Sequence, residues 1–318
     1  MAQCCICYTT DPGYLLPTFV SATQARQLSS AENADVLIFC IGTPGEAARV
    51  MARSCAVEGI GFSVISPEDI AGADAMMARL FLDRMVPLSY SQLLYIDGDT
   101  QIVGSLDPLL TANVPAGFFM AAKDPLAFSI SPSDSRQDEP GAYLRSVGVS
   151  PAQRHHYFNS GVLRINRDGW DELGREAWRL FLSMRDRSRY PDQDALNLAS
   201  KGRHIPISLA WNFPIFLRNA GIEQIIKPRI VHFPGRPKPW YGGFLPWGKA
   251  GYQPYMDAVR RHPELATLTT AMPKFQRLKY HGQQYYKYIA ESMAWRKGFR
   301  MQAMLNYERD LLLDHVAI

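Results

Sequence analysis

Three short, apolar, β-prone runs recur near the start of the chain: CCICYTT at 4–10, ADVLIFCIG at 34–42 and GIGFSVIS at 59–66. The second and third are joined by PGEAARVMARSCAVEG, with Pro44 near its start and Gly59 at its end, the usual punctuation of a helix. Strands alternating with helices in this way predict a mostly parallel sheet covered on both faces. The rhythm continues downstream. A helically spaced segment at 73–87 leads to the strand QLLYI at 92–96, and TQIVGSL resumes extended structure. Asp107 as N-cap and Pro108 at the first helical position start another helix. GFFMAAKD and GVLRIN read as strands, WDELGREAWRLFLSMRD and DQDALNLASKG as helices, and the polar stretch 129–141 as a mobile loop.

The 318 residues are 47% hydrophobic, enough for one large α/β core with an appendage or two modest domains, and too apolar for a disordered chain. A net charge of +4 does not announce a nucleic-acid binder. All five cysteines, Cys4, Cys5, Cys7, Cys40 and Cys55, fall in the first 55 residues at spacings poor for disulfides or zinc. They read as part of a buried strand in a reducing compartment. With no secretory leader and no run near the roughly 18 apolar residues of a membrane span, the expected location is cytoplasmic, either free or peripheral on a membrane.

Chemistry is suggested where QLLYI ends in Asp97-Gly98-Asp99. Side chains two apart on a strand share a face, and the carboxyl end of such a strand points into the crevice where α/β sheets bind ligands. Two like charges side by side call for a hard divalent cation, which could in turn hold phosphate. Taken alone, the pair reads as a turn cap beside a solvated carboxylate. RIVHFPGRPKPW adds His232 after a short strand, then Gly235, Arg236 and Lys238. A histidine can complete a metal shell, a glycine permits close backbone approach, and a lysine neutralises phosphate.

LLYIDGDTQIVGSLDPLL, FNSGVLRIN, DQDALN and HFPGRPKPW, in that order, resemble the signature blocks of glycosyltransferase family eight. This retaining family includes glycogenin and bacterial lipopolysaccharide galactosyl- and glucosyltransferases. The resemblance covers roughly residues 4–240 and implies a GT-A nucleotide-sugar-binding fold, a UDP-hexose donor, and a glycan or lipid-linked saccharide acceptor. It also implies Mn²⁺, with Mg²⁺ the alternative, held by Asp97, Asp99 and His232. Lys238 and Gly235 would contact the diphosphate. Thr9 and Asp11 would contact the base and Tyr14 would stack on it, with Gly13 standing where the family often has asparagine. Arg79 would reach the donor, Asp124 and Asn159 would hydrogen-bond its sugar, and Asp192 and Gln193 would lie beneath the reacting carbon. Asp192 also suits a helix N-cap. Asp194 is expected to face solvent or pair locally.

Because an amide is a poor nucleophile, Gln193 at the family's best-placed position favours attack of the acceptor hydroxyl on the face the phosphate leaves, rather than a covalent intermediate. Two rivals stand beside this reading. A haloacid-dehalogenase-type phosphatase also ends a strand in DxD, but wants threonine where this chain has Gln101. A non-catalytic carbohydrate-binding protein has no need of the candidate metal ligands.

The catalytic region is expected to span 1–265, with a basic, aromatic helical tail at 266–318. Between 274 and 300 seven lysines and arginines face the single acid Glu291. On one helix spanning 285–300, Tyr285, Tyr288, Ile289, Trp295 and Phe299 share a face. That face suits an anionic membrane surface, or packing on the domain, a partner or the acceptor.

Overall fold

The computed structural model describes residues 4–43, 45–131 and 139–313. Pro44 and most of the expected loop at 129–141 lie outside the described residues.

The described residues form ten strands: β1 (Cys4–Thr10), β2 (Ala34–Ile41), β3 (Gly61–Ile65), β4 (Gln92–Ile96), β5 (Thr100–Ile102), β6 (Phe119–Lys123), β7 (Phe158–Asn166), β8 (His204–Ile207), β9 (Phe213–Pro214) and β10 (Ile230–His232). Seven form one twisted layer in the order β3-β2-β1-β4-β7-β6-β8. Every neighbouring pair in it is parallel except the two that involve β7. A second sheet, β5-β10-β9, sits at the carboxyl end of β4.

Both faces of the large sheet are buried, which is why its strands lack a polar alternation. Cys4, Ile6 and Tyr8 of β1 join one core with Leu94 and Ile96 of β4, while Cys5 and Cys7 join the opposite core with Leu93 and Tyr95. All five cysteines are buried and free, as a structural strand requires. Burial pushes the Cys4 and Cys55 thiols up to about 12, so neither is a thiolate at neutral pH.

Several local expectations are corrected. The segment 73–87 is a 3₁₀ turn, Ala78–Phe81, followed by a single helical turn, Leu82–Met85, rather than one helix. Asp107 opens its short helix but does not cap it; the cap position is Leu106. The Asp107 carboxylate instead accepts hydrogen bonds from the Ser30 backbone and hydroxyl and from Asn33. Asp192 is the second residue of the helix Pro191–Ser200, whose cap is Tyr190.

The tail is two helices, Lys274–Arg296 and Phe299–Leu313, separated by extended Lys297 and by Gly298 at φ +95°. That break takes Phe299 off the expected common face. Trp295 packs against Phe216 at 5.9 Å between ring centroids, whereas Tyr285 and Ile289 remain 61% and 45% exposed. The second helix is tied to the core: the Tyr307 hydroxyl donates to the Ile207 carbonyl, and Glu308 accepts from Ser208 and from Leu209 N–H. Among the described residues no helix is long and apolar enough to cross a membrane.

Candidate active site

A cavity of about 710 Å³ opens at the carboxyl ends of β1 and β4. Thr9, Asp11, Tyr14, Arg79, Asp97, Asp99, Asp124, Asn159, Asp192, Gln193 and His232 all line it. These residues are spread over 224 positions of sequence and meet because the sheet brings β1, β4 and β7 side by side, with β10 antiparallel to β5 just beyond Asp99.

Asp97 and Asp99 are not strand residues. β4 ends at Ile96, and the pair occupies the turn into β5, where Asp97 N–H donates to the Gly161 carbonyl and the Asp99 carbonyl accepts from Phe233 N–H. Space is tight around them. A Cβ on Gly98 would lie 2.2 Å from Thr18 Oγ1, and one on Gly161 would lie 2.5 Å from His232 Cε1 and 2.9 Å from Asp97 Oδ2.

Each carboxylate has its own counter-charge. Arg79 bonds Asp97 Oδ1 at 2.7 Å, and Lys238 Nζ bonds Asp99 Oδ2 at 2.6 Å. Burial pushes the Asp99 carboxyl up, but opposing neighbours, the Lys238 ammonium foremost, hold the group well below the usual carboxylate range. For Asp97 burial prevails over Arg79, with the Asp99 charge adding to it, and its pKa is raised. The remaining oxygens, Asp97 Oδ2 and Asp99 Oδ1, lie 3.8 Å and 3.3 Å from His232 Nε2.

Two carboxylates and an imidazole, with one ligand atom from each all within 4.8 Å of one another, are a chemically suitable donor set for a divalent cation. The glycine at 161, where a Cβ would fill the space beside His232, fits the same purpose.

Arg79 is buried and spent on internal partners. Besides Asp97 it bonds Asp192 Oδ2 at 3.1 Å and the Ser160 carbonyl at 2.8 Å. Burial disfavours its charge, but Asp192 and Asp97 more than compensate and raise its pKa further. Gln193 is also held at both ends of its amide: Oε1 accepts from Ser160 N–H and Nε2 donates to Asp124 Oδ2. Burial raises the Asp124 pKa, opposed by hydrogen bonds that include one from Asn159.

At the other end of the cavity, Asp11 Oδ1 accepts from Gly13 and Tyr14 N–H and so shapes the turn that presents the Tyr14 ring. Tyr14 meets Trp240 edge-on at 5.2 Å. The Thr9 hydroxyl is bonded to Tyr95 and to the Ala75 carbonyl. Gly235 and Lys238 do not line the large cavity: Gly235 borders a small adjoining hollow, and Lys238 is drawn inward to Asp99 and the Phe233 carbonyl.

Asp194 is the clearest departure from expectation. It is fully buried and accepts hydrogen bonds from the hydroxyls of Tyr143, Tyr157 and Ser188. Residues that were not site candidates also reach the cavity: Ser160, inside FNSG, Tyr190 and Phe216, in segments without a motif, and Glu291, Trp295 and Arg300 of the basic, aromatic tail.

The profile described as Glycosyl transferase family 8 matches residues 5–242. The chain belongs to this family. Lipopolysaccharide 1,2-glucosyltransferase of Escherichia coli K12 is 25% identical over 178 residues, 52% of this chain and 49% of that one. Lipopolysaccharide glucosyltransferase WaaO of the same organism is 25% identical over 217 residues, 65% of this chain and 59% of that one. The matches thus span about half the length of these relatives. Among solved structures, the galactosyltransferase LgtC, in complex with donor and acceptor sugar analogs, superposes with a TM-score of 0.58 at 21% identity, over 87% of this chain and 99% of LgtC. The bifunctional glycosyltransferase WbbM gives 0.61 at 16% identity, over 84% of this chain and 51% of WbbM. The family 8 chain therefore has the GT-A fold.

Proposed function

We propose that this chain transfers a hexose, galactose or glucose, from a UDP-sugar to a glycan or glycolipid acceptor, with retention of configuration. Asp97, Asp99 and His232 would hold the divalent cation, Mn²⁺ or Mg²⁺. The observation that carries the reading is the convergence of those three ligands with Asp124, Asp192 and Gln193 in one cavity of a family 8 protein.

Bound there, the cation would supply positive charge to the diphosphate as it departs. Lys238, anchored by Asp99 at the edge of the site, adds a second positive group, and Gly235 leaves room for backbone approach. At the far end Asp11 and Thr9 serve the base and Tyr14 offers its ring face. Arg79 acts from below, as the shared counter-charge that keeps Asp97 and Asp192 aimed.

Retention requires either a covalent intermediate or attack on the leaving-group face. The acids nearest the proposed sugar site are already engaged: Asp192 accepts from Arg79 and Ser160, and Asp124 from Asn159, Gln193 and Leu126 N–H. Hydrogen bonds of this kind stabilise the carboxylate and blunt it as a nucleophile. The reading is therefore same-face displacement. The bond from anomeric carbon to phosphate oxygen breaks, the acceptor oxygen bonds the same carbon, and its proton passes to the departing phosphate. Gln193 and Asp192 position the sugar and face its developing positive charge.

The wall formed by Tyr190, Phe216, Glu291, Trp295 and Arg300 is the proposed acceptor end, three of its five residues coming from the tail helices. The outer side of the first tail helix leaves Phe275, Leu278, Tyr286 and Met293 more than 70% exposed among lysines and arginines, a composition suited to an anionic membrane.

A transfer assay over a panel of nucleotide sugars, with the anomeric configuration of the product read by NMR, tests the proposal. Retained product from UDP-galactose or UDP-glucose supports it. Inverted product, or phosphomonoester cleavage without transfer, contradicts it.

A further inference from the structure

A line of hydrogen bonds runs from Asp124 to His232, and its direction is fixed by chemistry. Asn159 Nδ2 lies 2.9 Å from Asp124 Oδ2, and a carboxylate only accepts. The other end of that amide, Oδ1, lies 2.9 Å from Gly161 N–H, and a backbone N–H only donates. Asn159 therefore cannot be turned round. Its Oδ1 also receives Asn212 Nδ2 at 2.7 Å. The carbonyl oxygen of Asn212 is thereby left facing His232 Nδ1 at 2.8 Å, and a carbonyl can only accept, so Nδ1 carries a proton.

A neutral imidazole has one N–H and one lone pair. With the proton on Nδ1, the lone pair sits on Nε2, which is the nitrogen that faces Asp99 Oδ1 and Asp97 Oδ2. A lone pair set against two carboxylate oxygens is a poor arrangement by itself and a good one around a cation. Asn212 is only 2% exposed and His232 only 5%, which leaves bulk water little room to take over the role of the amide.

We propose that Asn212, itself oriented by Asn159, is a positioning residue that fixes His232 as the Nδ1–H tautomer and presents Nε2 to the divalent cation. The same line joins the metal ligand to Asp124, the side chain assigned to the donor sugar. The inference rests on the metal-dependent reading above. Ligand-orienting hydrogen bonds of this type are worth roughly 10- to 100-fold in metal affinity.

The test uses the full chain and reads Mn²⁺ binding by calorimetry, with and without UDP, alongside the ¹⁵N shifts of the His232 ring in metal-free protein at mildly alkaline pH. Wild type should show Nδ1–H. Asn212→Leu should mix the tautomers and weaken Mn²⁺ binding by roughly 10-fold or more. Asn212→Asp, which still accepts from Nδ1 but can no longer donate to Asn159 Oδ1, should keep the Nδ1–H proton that Asn212→Leu loses. Should Asn212→Leu fail to fold by circular dichroism, Asn212→Ser takes its place. An Nε2–H tautomer in wild type, or wild-type Mn²⁺ affinity in a folded Leu or Ser variant, overturns the proposal. If wild type binds neither Mn²⁺ nor Mg²⁺, the metal reading fails separately, and the ring shifts still decide whether Asn212 sets the tautomer.

Discussion

The ammonium of Lys238 lies 2.6 Å from Asp99 Oδ2, 139 residues away in sequence. Asp97 is served in the same way by Arg79. Two like charges can therefore persist side by side in a mostly buried site because each is paired with a different cation, Arg79 being shared with Asp192, while one oxygen of each faces His232.

Removing one partner of such a pair leaves an uncompensated charge, at a cost of about 3–5 kcal/mol. Lys238→Met should lose stability on that scale in equilibrium denaturant unfolding. Added Mn²⁺ should recover part of it, since a ligand that binds only the folded state stabilises it. A loss below about 1 kcal/mol would place Lys238 outside the electrostatic support of Asp99.

Asp194 holds the start of the helix that carries Asp192 and Gln193, through hydroxyls from two distant segments and the preceding loop. Asp194→Ala strands three buried or half-buried donors, each costing about 1–3 kcal/mol. The predicted total is at least about 3 kcal/mol, with Asp194→Asn milder. Wild-type stability in the alanine variant, measured by the same unfolding assay, would contradict the structural role.

His204 packs against Phe158 at 4.8 Å between ring centroids and bonds the Ala121 carbonyl through Nε2. Burial lowers its pKa from 6.5 to about 4. Below pH 6.5 the unfolded chain takes up a proton that the folded one refuses. The stabilisation is thus complete above that pH and is lost progressively as pH falls toward about 4, by about 3 kcal/mol in all. In pH-dependent unfolding, His204→Phe should show a shallower slope than wild type across that window; parallel curves would refute the assignment.

The fold was legible because a sheet buried on both faces leaves unbroken apolar runs, and the carboxylate pair because it interrupts one of them. What stayed hidden depends on partners remote in sequence. The Asp194 carboxylate reads as solvated or locally paired until Tyr143 and Tyr157 are seen to enclose it, and Asn212 is one amide in a segment with no motif. Segment 73–87 has helical spacing, yet its 3₁₀ turn sets Arg79 into the floor of the cavity, where Asp97 and Asp192 hold it. The tail misled for a local reason: Gly298 at positive φ ends the run that would have aligned Phe299 with Trp295.

The most direct measurement is release of UDP from UDP-galactose and UDP-glucose, with acceptor-independent hydrolysis as the baseline, for wild type and Asp99→Asn with and without Mn²⁺. The account predicts slow release by wild type that requires Mn²⁺ and is nearly abolished in Asp99→Asn. Release that is equally fast after chelation of the metal, or unchanged in Asp99→Asn, would contradict it.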